Sequence, residues 1–361
     1  MNIYASKRWQ QDTSEMVKDL PFMSILSGKT IMITGAAGLI CSAIVDILFS
    51  YNDSHPEKQP IIILAAGRWL KEMEERFHER TKRQDFKFVA YDAAKHDNSL
   101  PHGLNPDYII HGASNAFPAM VMREPVETIL ANVIGIYELL SIARTHNTRR
   151  VLYISSSEVY GQKPGIEPYH EGEYGYIDQL NPRNSYSIGK RAAENMCASF
   201  AAEYDIESVI VRPGHIYGPT ASIQDTRVSS AFAWAAARGE NLILKSEGNQ
   251  RRSYCHCLDC ASAILWVLLC GDNGHAYNIS NPNSVITIRE MATELAKAGG
   301  VKLIMEVASK AEIASFNPMS NSSLDSVSLQ ELGWRGLFDK SGLDSTVQTM
   351  KEMLENEHTI S

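Results

Sequence analysis

The chain has 361 residues, a formal charge of −8 and 44% hydrophobic content. That length holds one large α/β unit with a smaller lobe, and the apolar share fills a sizeable core. An acidic balance with no Lys/Arg block argues against a nucleic-acid partner, and six cysteines in so long a chain read as reduced thiols rather than a disulfide framework.

Residues 1–28 form a polar extension, with a helix predicted near 12–20. Thr30-Ile31-Met32-Ile33-Thr34 reads as a buried strand, and Gly35-Ala36-Ala37-Gly38-Leu39-Ile40-Cys41 turns it into an apolar helix through Leu48. Glycines here let the backbone close on a pyrophosphate lying against the helix N-terminal amides. The third small position of this dinucleotide fingerprint, usually glycine, is Cys41. Apolar runs at 61–65, 86–90, 108–111, 151–155 and 208–212 alternate with helices, which predicts a parallel, doubly wound Rossmann sheet over 29–212. Residues 213–361 and the loop 161–183 are richer in turns and read as a smaller substrate lobe, interleaved with the first. No signal peptide or membrane span is evident, 264–270 being too short to cross, so the cytoplasm is the expected location.

The chemistry sits in two segments: Ser155-Ser156-Ser157-Glu158, and Tyr186-Ser187-Ile188-Gly189-Lys190 opening a helix. Positions i and i+4 share a helix face, so Lys190 is expected beside Tyr186, where an ammonium would favour phenolate and make Tyr186 a usable base. A hydroxyl of the serine run would hydrogen-bond the same substrate oxygen. At the end of the second strand, Ala65-Ala66-Gly67-Arg68 lacks the acid that grips the adenosine ribose, and Arg68 suits a 2′-phosphate, which leaves NAD and NADP both open. Cys255, Cys257 and Cys260 with His256 suggest zinc only superficially. Two of them alternate on an apparent strand without a second ligand cluster, so buried thiols and no metal are expected.

Together with Tyr91-Asp92, His111-Gly112-Ala113-Ser114, Arg212-Pro213-Gly214-His215-Ile216-Tyr217-Gly218 and Arg252-Ser253-Tyr254, these motifs resemble the extended short-chain dehydrogenase/reductase family over residues 29–353. Within it the chain looks most similar to the nucleotide-sugar enzymes: UDP-glucuronate decarboxylases first, then dTDP-glucose and GDP-mannose 4,6-dehydratases. The resemblance implies an NAD(P)-dependent enzyme that oxidises the sugar C4 and then decarboxylates, dehydrates or epimerises. A simple NADPH-dependent 4-keto reductase and a non-catalytic dinucleotide-binding regulator are the alternatives. It assigns Ser156, Ser157, Glu158, Tyr186 and Lys190 to catalysis. Gly35, Ala37, Gly38, Leu39, Ile40, Arg68, Asp92 and Ala113 fall to the cofactor with Tyr186 and Lys190; Ser114, Arg183, His215 and Arg252 fall to the substrate. Ser157, where dTDP-glucose dehydratases carry an aspartic acid, is a poor general acid and points away from them. His215 replaces the asparagine usual in sugar-binding relatives, and Asn115-Ala116-Phe117-Pro118 only partly matches the decarboxylases. Relatives pair two helices, here 127–144 and 187–204, across a two-fold axis, so a homodimer through Ile129, Val133, Ile136, Ala192, Ala193, Met196 and Ala201 is expected.

Overall fold

The computed structural model describes residues 1–96, 100–101, 103–115, 117–307 and 321–360. Its helices include α1 (Lys7–Lys18), α2 (Leu39–Ser54), α3 (Leu70–Phe77), α4 (Pro118–Arg123), α5 (Pro125–His146), α6 (Ser185–Tyr204), α7 (Val228–Ala237) and α8 (Cys257–Cys270). Strands β1 (Thr30–Thr34), β2 (Ile62–Gly67), β3 (Phe86–Ala90), β4 (Tyr108–His111), β5 (Arg150–Ile154) and β6 (Ser208–Pro213) lie within a residue or two of the predicted runs. They read clearly because helices cover both sheet faces, so β4 and β6 are buried along their whole length and carry almost unbroken apolar sequence.

After β6 the chain builds the smaller lobe from β7 (His215–Tyr217), β8 (Leu242–Leu244) and β9 (Arg251–His256), then returns with β10 (Ala276–Ile279) to the main sheet. The resulting seven-stranded sheet runs β10-β6-β5-β4-β1-β2-β3, every pair parallel. The last strand of the Rossmann sheet therefore comes from beyond residue 212. Strand order reverses at β1, which lies between β2 and β4, and a crevice outside the strand C-termini at such a point is where α/β folds bind ligands.

The N-terminal helix starts at Lys7, five residues ahead of the predicted start, because the Ser6 hydroxyl accepts from Trp9 N and caps it. Trp9 and Met16 are buried, and Trp9 Nε1 and Tyr4 Oη both donate to Asp46 of α2, which also pairs with Arg76 of α3. The polar-looking extension is thus fastened to the cofactor half.

Two further expectations change. Cys255 lies on β9 but Cys257 opens α8 and Cys260 lies within it, so the thiols do not alternate on one strand. All three are buried, which raises their pKa values, and among the described residues no His/Cys/Asp/Glu group suited to a metal occurs. α5 and α6 pack against each other within one chain, which places Ile136 and Ala193 in the core, wholly excluded from solvent. Residues that face outward include Val126, Ile129 and Tyr137 on α5 and Ala192 on α6. One described helix, α5, is long and apolar enough to cross a membrane by length and composition, and half of the window that passes this test is buried in the molecule.

Candidate active site

Three loops leave the C-terminal ends of β1, β4 and β5, and each delivers part of one cleft. After β1, Gly35 takes φ +68°, and a Cβ there would stand 3.0 Å from the backbone of Ala113, which follows β4. Gly38 caps α2 with no side chain bonded to the helix amides, and Leu39 and Ile40 form its first turn. The turn is therefore drawn tight, with the α2 amides available to a phosphate. Cys41 fits because Gly112 stands opposite: any Cβ at Gly112 would overlap the Cys41 sulfur, so the small residue has moved across the contact.

Ser114 Oγ and Ser155 Oγ are buried without a hydrogen-bond partner among the described residues, as groups awaiting a bound molecule are. The Gly35 cradle, the α2 N-terminus and these hydroxyls together fit a dinucleotide. Asp92, just past β3, accepts from Ala94 N and pairs with Lys95, while Arg68 past β2 is exposed and makes no hydrogen bond or ion pair among the described residues.

α6 places Tyr186 and Lys190 one turn apart, with Lys190 Nζ 5.5 Å from the centre of the Tyr186 ring. The ammonium donates to Ile154 O at 2.6 Å and lies 4.7 Å from the Tyr153 ring centre. Burial pushes Lys190 down to about 7. The expected depression of the Tyr186 phenol is not realised. Burial first, then the Glu158 charge, push it up to about 12, against a hydrogen bond with Ser156 and the charge of Arg227. Desolvation outweighs nearby cations here.

Ser156 Oγ caps the short turn Ser157–Tyr160 by accepting from Glu158 N at 3.2 Å, and Glu158 accepts from Ser187 Oγ at 3.1 Å. Ser157, half-exposed, opens that turn. The turn Pro182–Asn184, capped by Asn181, brings Arg183 into the cleft, whose lining is Pro118, Val121, Glu158, Arg183 and Tyr186. Of Asn115-Ala116-Phe117-Pro118, Ala116 lies outside the described residues. His215 on β7 has a buried Nδ1 with no described partner; burial, then the charges of Arg252 and Arg227, push it down to about 3, so the imidazole is neutral. Arg252 is itself buried on β9.

Sequence reasoning missed Arg227. Asp225 grips its guanidinium, which lies 5.5 Å from the Phe117 ring centre and acts on both Tyr186 and His215. The available signal was Asp225-Thr226-Arg227 immediately ahead of α7, an acid spaced to hold an arginine at a helix start.

A glycine-lined helix N-terminus with a tyrosine one turn ahead of a buried lysine is the arrangement of a nicotinamide-dependent enzyme of the extended short-chain dehydrogenase/reductase type. Residues 31–280 match the NAD dependent epimerase/dehydratase family, and the chain belongs to it. It is 33% identical over 273 residues to UDP-glucuronic acid decarboxylase 6 of Arabidopsis thaliana, covering 75% of each. Its fold matches UDP-glucose 4-epimerase from Thermotoga maritima, solved with UDP-glucose, at TM-score 0.74 and 23% identity over 90% of this chain and 99% of that one. It also matches RMD from Pseudomonas aeruginosa complexed with NADPH, at TM-score 0.66 and 20% identity over 90% and 99%. At such identities the structures establish the shared fold.

Tyr186→Phe should fold normally and bind dinucleotide while turnover falls roughly 10²- to 10⁴-fold, the range of a lost general base. Activity close to wild type would remove Tyr186 from catalysis.

Proposed function

We propose that the protein oxidises C4 of a nucleotide-linked uronic acid and then removes its C6 carboxylate, in the manner of a UDP-glucuronate decarboxylase. The observation that carries this reading is Arg183 beside Glu158 and Tyr186 in one cleft: a guanidinium there suits a sugar carboxylate, which it binds in a fork. Ser157 in place of an acid weighs against dehydration of the dTDP-glucose type, and the likeness to the Arabidopsis decarboxylase supports decarboxylation.

A bound nicotinamide dinucleotide supplies a reversible acceptor for the C4 hydride. Tyr186 takes the proton of the 4-hydroxyl, Lys190 keeps a positive charge beneath it, and Ser156 donates to the sugar oxygen. The ketone makes the C6 carboxylate a β-keto acid, so the C5–C6 bond breaks, carbon dioxide leaves, and the electron pair passes to the C4 oxygen as an enolate. Reprotonation at C5 and return of hydride complete a cycle with no net redox change. Glu158 acts after the first oxidation.

Product mass spectrometry over UDP-, GDP-, CDP- and dTDP-linked hexoses and uronates should show loss of carbon dioxide from a uronate. Glu158→Gln should still form reduced nicotinamide on mixing with that substrate but stall, leaving its absorbance in place. Conversion of a 4-keto sugar with stoichiometric consumption of NADPH would favour the reductase instead.

For the cofactor we propose NADP, because Arg68 offers an exposed guanidinium, without a partner among the described residues, where an acid would select NAD. The protein should bind NADP more tightly than NAD, and Arg68→Asp should reverse the order; an unchanged order would discount Arg68.

We also propose a homodimer through the outward faces of α5 and α6. Ile129, Val126 and Tyr137 are large apolar residues exposed in one chain, an arrangement typical of a subunit contact. Ile129→Glu tests this better than a change at the buried Ala193. It should yield monomers by sedimentation, and a wild-type monomer at micromolar concentration would refute the assembly.

A further inference from the structure

One buried ion pair behind the site has no part in the chemistry described so far. Glu194, one turn beyond Lys190 on α6, receives Arg212 of β6 in a fork, Nε to Oε1 at 2.9 Å and Nη2 to Oε2 at 2.7 Å. Both residues are buried, Arg212 at 2% exposure. Arg212 reaches further: Nη1 donates to Glu171 O at 2.7 Å and to Tyr160 Oη at 3.1 Å, and Nη2 to Tyr174 Oη at 3.3 Å. Glu171 and Tyr174 belong to the loop that ends in Arg183, and Tyr160 closes the turn that carries Glu158. Tyr160 Oη donates on to Asn278 of β10, whose Nδ2 holds Tyr169 O and Asp325 O.

From this connectivity we infer that Glu194 and Arg212 are positioning residues for the reaction: Glu194 sustains the charge of Lys190, while Arg212 fixes the loop that delivers Arg183 to the cleft. The groups acting on Lys190 come from four elements. α6 gives Tyr186 and Glu194, α2 gives Cys41, β4 gives His111 and β5 gives Tyr153. Burial keeps Cys41, Tyr186 and Tyr153 protonated and His111 neutral, which leaves Glu194 as the anion of that set. Glu194 stands one helical turn from Lys190 on the same face and opposes the loss of charge that burial favours. Arg212 in turn prevents the carboxylate from being an uncompensated buried charge, and spends its remaining donors on the loop. An ion pair kept for stability alone needs neither neighbour, since apolar residues often replace such pairs without loss.

The inference rests on Lys190 being catalytic, and its test reads that lysine directly, so a wrong substrate class would leave it standing. Protein carrying isotope-labelled lysine is titrated by NMR, with the Lys190 resonance assigned by its absence in Lys190→Met. Glu194→Gln should lower the Lys190 midpoint by about one unit or more. Arg212→Lys, which keeps the charge but loses the fork, should leave the midpoint in place and speed hydrogen exchange of amides in 161–183. A merely structural pair would lower stability in both variants without moving the lysine, and an unmoved midpoint in Glu194→Gln overturns the assignment. Should that variant not fold, Glu194→Gln/Arg212→Met also removes the guanidinium that the first change leaves without its carboxylate; unchanged loop exchange in it would overturn the role of Arg212.

Discussion

The site depends on one costly arrangement, an ammonium held out of water at the C-terminal edge of a parallel sheet. Lys190 keeps a hydrogen bond to Ile154 O and the face of Tyr153, yet burial still brings its charge to the edge of being lost near neutral pH. Tyr186 lies one turn ahead of that cation on α6, with Ser156 and Glu158 beside its phenol, and Glu194, forked by Arg212, lies one turn after it. Rossmann topology supplies the place: strands β1, β4 and β5 all end at the same edge, so three sequence-distant loops meet there.

Tyr186 shows how context decides a pKa. Its helical spacing from Lys190 suggested a depressed phenol, but a cation 5.5 Å from the ring that is itself desolvated does little against burial and the adjacent Glu158. Burial and the neighbouring carboxylate decide the direction of its shift, which helical spacing alone does not.

The sheet was legible because buried parallel strands are unbroken apolar runs, and the Tyr186–Lys190 pair because i and i+4 share a helix face. Arg183 lines the same pocket as Tyr186, as its loop position just ahead of that residue suggests. What escaped the sequence depends on partners far along the chain. The start of α1 is set by Ser6 and by Trp9 reaching Asp46; β10 belongs to the sheet through its pairing with β6; Arg227 matters through its grip by Asp225. Ala193, apparently one of many small helix residues, proved to be core because α5 covers it. Periodicity identifies a helix face but does not say which neighbour covers it.

The central claim is that hydride leaves C4 and returns to it within one active site. A UDP-uronate deuterated at C4, turned over with unlabelled dinucleotide in solution, tests this directly. Product that keeps its deuterium at C4 while losing carbon dioxide is the predicted result; release of the label into the free dinucleotide pool, or a product bearing the original C6 carboxylate, would contradict it.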